Sequence, residues 1–84
     1  MSAGEIAVEV VGWAGALMIL AGYALVSARR VTPDGVPYQA LNIAGAAGFV
    51  VNGVAHGAMP SAVLNIVWIG IGCFVLARRG RNAT

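Results

Sequence analysis

The chain has 84 residues, 60% of them hydrophobic and only 10% charged, with a mean hydropathy of +0.85. Ordinary globular chains are roughly half apolar and about a quarter charged, so this balance argues against water as the solvent and for lipid. The net charge of +2 balances five Arg against three acidic residues, and the Arg, with no Lys, fall in two short groups beside apolar runs, which argues against a nucleic-acid surface.

A chain this short holds one domain at most. Its first ten residues, MSAGEIAVEV, carry Glu5 and Glu9 but no basic residue. A basic start and a small-residue cleavage site are missing, so they are not read as a secretory signal. Val10 to Ala28 follows as nineteen uncharged residues that stop at Arg29-Arg30, which predicts a first helix at about 8–28. Pro33-Asp34-Gly35 is turn chemistry, and Pro37 suits a helix start.

A second uncharged run, Val36 to Ala77, is too long for one span and is broken by HGAMPS at 56–61. Gly57 suits a helix C-terminal cap and Pro60 the first position of the next helix. Helices at about 38–56 and 60–77 result. At ~1.5 Å per residue each approximately matches a ~30 Å hydrocarbon layer. The expected fold class is all-α: an integral membrane domain with three transmembrane helices in a lipid bilayer. Arg lies after the first and third spans and none in the short second loop. That bias places the N-terminus outside and the C-terminus in the cytoplasm of an inner-membrane, multi-pass chain.

Asn42, Gly45, Phe49, Asn52 and His56 fall within an arc of about 80° on helix two at ~100° per residue. Ser61, Asn65, Trp68 and Gly72 share a similar arc on helix three. Helix one offers Glu9, Gly12, Ala16, Tyr23 and Ser27. Small and polar residues in a span belong to a face turned toward protein, because amides in lipid need a neighbour. Asn52 and Asn65 each lie about five residues from the outer end of their helix, roughly 6–8 Å deep. The expectation is an outer cluster of Asn52, Asn65 and Trp68, with Glu9 and His56 at its mouth in a gating or proton-linked place. Asn42 and Tyr38 form a second polar level nearer the cytoplasm.

No Cys/His or Ser/His/Asp constellation, metal-ligand pair or phosphate-cradling glycine loop is present, so no enzyme and no cofactor are expected. Cys73 is the only cysteine and excludes an intrachain disulfide. YQALNIAGAAGF followed by MPSAVLNIVW resembles a family of small uncharacterised three-helix bacterial membrane proteins. The pattern, Tyr-x3-Asn-x2-Gly then Pro-Ser-x3-Asn-x2-Trp, falls on Tyr38, Asn42, Gly45, Pro60, Ser61, Asn65 and Trp68. In length and layout the chain is also similar to bacterial half-transporters of the SWEET type, three-helix chains that dimerise around a solute. It lacks their Pro-Gln pair in helix one, and its Trp68 lies on helix three rather than helix two.

Three short helices scarcely enclose a solute, so a transport role implies an oligomer. The uniform Arg bias makes that a parallel homodimer. The expected function is a permease-like protein binding a small neutral or weakly polar solute near Asn52, Asn65, Trp68 and Asn42. The alternative is an accessory or assembly protein whose polar stripes only dock helices.

Overall fold

The computed structural model describes residues 1–82 as three helices: α1 (Ala3–Ser27), α2 (Val36–Ala55) and α3 (Met59–Asn82). Among these residues there is no strand. α1 begins about five residues before its expected start because Ser2 caps it: Ser2 Oγ accepts from Glu5 N at 3.1 Å. Glu5 adds a carboxylate at the positive end of the helix. α3 runs on past Arg78 and Arg79, which suit the negative end of a helix.

Both connections close with the same pattern of hydrogen bonds. After α2, Gly57 N donates to Val54 O at 3.1 Å and Ala58 N to Gly53 O at 2.8 Å. After α1, Arg29 N donates to Val26 O at 3.0 Å and Arg30 N to Leu25 O at 2.9 Å. This double closure requires a left-handed residue, which Gly57 supplies at φ +70 without steric penalty. Arg29 occupies the same position at φ 59. For a residue with a Cβ that conformation costs about 1–2 kcal/mol.

α2 lies between the other two helices and packs on each, whereas among the described residues no Cα of α1 comes within 8 Å of one of α3. The α1–α2 contact is a meeting of backbones. A Cβ on Gly15 would stand 2.6 Å from Gly45 O, one on Gly45 2.8 Å from Gly15 O, and one on Gly48 2.8 Å from Val11 O. In each case the glycine hydrogen faces a carbonyl of the opposite helix. Such weak C–H···O bonds contribute about 0.5–1 kcal/mol each and form only where no side chain intervenes. On the other flank, Gly72 of α3 admits Ile43 and Gln39 of α2, and Ala62 packs at Gly53.

The buried residues are therefore small ones and amides. No large side chain is fully buried, while Leu17, Leu20, Leu64 and Phe74 stay exposed. α1 and α3 are long and apolar enough to cross a membrane, yet only 17% and 11% of their apolar windows are buried within the molecule. A core helix of a water-soluble protein would bury most of such a window. The combination points to a membrane protein.

Two sequence expectations change. Three transmembrane spans were expected, but α2 is not apolar enough to qualify as a span by the measure that α1 and α3 meet. The cause is the load of Gln39, Asn42, Asn52 and glycines that it carries for its two neighbours. The expected stripe of α1 also shifts: Tyr23 is 67% exposed, and the buried face is Gly12, Gly15 and Gly22.

Gly15→Ala should destabilise the protein by ~1–3 kcal/mol, since its Cβ meets a backbone oxygen that cannot yield. Gly70→Ala, which meets nothing within 4 Å, should be neutral or stabilising by up to ~1 kcal/mol. Unfolding in detergent mixed micelles reads both.

Candidate functional site

The polar residues of α2 divide between its two flanks. Asn42 and Asn52 are ten residues apart, which turns them about 80° from one another. That angle suffices to send one to each neighbour. Asn52 Nδ2 donates to Val8 O of α1 at 3.1 Å. It reaches that carbonyl through a notch at Gly12, where a Cβ would stand 2.5 Å from Asn52 Nδ2. Asn42 serves α3 instead: its Oδ1 accepts from Trp68 Nε1 at 2.9 Å.

One turn beyond Asn52, His56 closes the α1–α2 flank. Its Nδ1 lies 2.8 Å from Asn52 O, and its Nε2 lies 3.3 Å from Glu9 Oε1. A backbone carbonyl only accepts, so the contact at Asn52 O is a hydrogen bond when Nδ1 carries the hydrogen. The contact with Glu9 is an ion pair when the imidazole is protonated. The Glu9 and His56 side chains are 42% and 52% exposed, so the pair is solvent-screened and adds little stability.

These groups border an open cleft of about 370 Å³ lined by Glu9, Gly12, Trp13, Ala16, Phe49, Asn52 and His56. Helical spacing assembles it: 9, 12, 13 and 16 share one side of α1, and 49, 52 and 56 one side of α2. Its lining combines two aromatic residues with an acid, an imidazole and an amide. Asn52 spends its amide hydrogen on Val8 and keeps its carbonyl oxygen as an acceptor. Among the described residues no three His, Cys, Asp or Glu gather as a metal would need.

Asn65 does not join this group. Its Nδ2 donates to Ser61 O at 2.9 Å, one turn back in its own helix. That local bond lets an amide sit in an apolar helix without a partner from another element. The proposed solute-binding residues are thus distributed: Asn52 with His56 and Glu9 on the α1 flank, Asn42 with Trp68 on the α3 flank, and Asn65 apart from both. Trp13 and Phe49 were missed as cleft residues, although the spacing of Trp13 from Glu9 and Ala16 placed it on their face. Gln39 was missed too. It is 7% exposed, its Nε2 donates to Pro33 O at 2.9 Å, and its Oε1 is buried without a partner.

A protein-family model, that of an uncharacterised family, matches residues 8–83. No curated protein and no solved structure matches, so the layout shared with SWEET-type half-transporters gains no support from those comparisons.

A double-mutant cycle of Asn42→Ala with Trp68→Phe should show a coupling of about 0.6–1.7 kcal/mol, the range for hydrogen bonds between helices in lipid. Asn65→Ala with Trp68→Phe should show almost none, because Asn65 bonds within α3.

Proposed function

The chain belongs to that family, and from this premise we propose that it is a three-span inner-membrane protein of permease type. α2 crosses the bilayer as the inner member, with its amides turned to α1 and α3. Arg29, Arg30, Arg78 and Arg79 share the cytoplasmic end, consistent with a 3.6 Å contact between Arg79 and Asp34 of the first loop. The N-terminus lies outside.

The observation that carries the functional reading is the α1–α2 cleft. It combines two aromatic residues with the Glu9–His56–Asn52 group near the outer end of both helices. Aromatic walls with a few convergent polar groups suit a small neutral or weakly polar solute. The cleft is open, and α3 lies on the far flank of α2, so this chain cannot close over a ligand alone. A second copy in parallel orientation covers it, which makes the functional unit a homodimer. The Glu9–His56 contact then sits at the outer mouth of the site, where solute entry exchanges water for ligand.

A second reading has one observation behind it. Both Asn42 and Asn52 already make bonds between helices, which is what a docking or assembly subunit needs.

Trp13 lines the cleft and Trp68 does not, so a Trp68→Phe protein reports on the site through one indole. A panel of small polar neutral solutes should yield one that shifts Trp13 emission and raises the melting temperature of the unmodified dimer. Glu9→Gln should weaken that solute about tenfold, the loss of one hydrogen bond to a charged group. A panel that moves neither Trp13 emission nor melting temperature favours the docking reading.

A further inference from the structure

At the opposite end of α1 from Glu9, a second open cleft of about 570 Å³ lies between the first loop, the start of α2 and the end of α3. Its lining includes Arg29, Arg30, Arg79, Pro33, Val31 and Val36. Three arginines line it. The one acid nearby is Asp34, whose carboxylate is 68% exposed and 3.6 Å from Arg79, a weak pair in water. Among the described residues Arg29 and Arg30 have no salt bridge. The cleft is therefore cationic.

Two further features add to the charge. α2 starts there without a side-chain cap, at Gly35 with a proline in its first turn, so the positive end of its dipole is open to an anion. Arg29 is held left-handed at φ 59, where the matching turn after α2 uses Gly57. Glycine is the unstrained choice at that position, and an arginine stands there instead.

We propose that this cleft binds the phosphodiester headgroup of an anionic lipid. Planar guanidinium forks match phosphate oxygens, and the valines and prolines of the lining suit the glycerol region beneath them. The lipid source follows from depth. α1 ends at Ser27, two residues before Arg29, and the uncharged run of α3 ends at Ala77, immediately before Arg78 and Arg79. The cleft therefore opens at headgroup level, as basic pockets at helix ends do. This placement rests on the membrane reading above.

The test uses the full chain in nanodiscs of phosphatidylcholine containing a minority of phosphatidylglycerol, with retained lipid counted by native mass spectrometry. Phosphatidylglycerol should be retained about tenfold over phosphatidylcholine, and Arg29→Gly should lower that selectivity about fivefold, the weight of one basic group near an anionic surface. Glycine suits the turn, so the Arg29→Gly melting temperature in pure phosphatidylcholine should not fall. Arg30→Gln with Arg79→Gln should remove the remaining preference, and millimolar glycerol phosphate in solution should not displace the lipid. Equal retention of both lipids by the unmodified protein overturns the proposal, as does a selectivity that Arg29→Gly leaves undiminished. Displacement by glycerol phosphate assigns the cleft to a soluble anion and also overturns it. A chain that does not enter nanodiscs refutes the membrane reading itself, an outcome distinct from an inserted protein without lipid preference.

Discussion

The structure depends on the close approach of α1 and α2 through Gly15, Gly45 and Gly48, where each helix sets its backbone carbonyls against the other's glycine hydrogens. In water, helices are held together chiefly by burying apolar side chains. In lipid that drive is absent, since acyl chains are as apolar as leucine. Contact must then come from dispersion and from weak polar contacts that only bare backbones allow. This explains a molecule in which glycine, alanine and amides are buried while leucine and phenylalanine remain outside. It also fixes the geometry of the candidate site, because the notch at Gly12 admits Asn52 to the Val8 carbonyl.

The second constraint is the satisfaction of amides. An unpartnered carboxamide in an apolar setting costs several kcal/mol. α2 resolves this by standing between its partners and giving Asn52 to α1 and Asn42 to α3. Asn65 resolves it differently, within its own helix. One consequence reaches function: amides engaged in packing also become fixed parts of a cleft wall. Asn52 holds two helices together and presents a carbonyl oxygen beside Glu9 and His56.

The number of helices and the turn at Gly57 were legible in the sequence, because run length and glycine carry direct physical meaning. The cap at Ser2 was also there to be read, in the spacing of Ser2 and Glu5, a known helix-start pairing. What periodicity could not supply was the order of neighbours. Asn52 and Asn65 were expected at matching depth, and a wheel of 100° steps says which face each occupies but not which helix it meets. Asn42 and Trp68 are 26 residues apart, and only the position of α2 between α1 and α3 brings them to 2.9 Å. Arg29 gave no local sign either, since nothing about two adjacent arginines announces a left-handed backbone.

Solid-state NMR of the protein in bilayers tests the central arrangement most directly. With α2 as the shared neighbour, one sample should show cross-peaks between the backbones of Gly15 and Gly48 together with a Trp68 indole–Asn42 carboxamide cross-peak, and no correlations between α1 and α3. Strong α1–α3 correlations combined with loss of the indole–carboxamide cross-peak would mean that the helices close into a three-way bundle, and the division of polar groups between two flanks of α2 would be wrong.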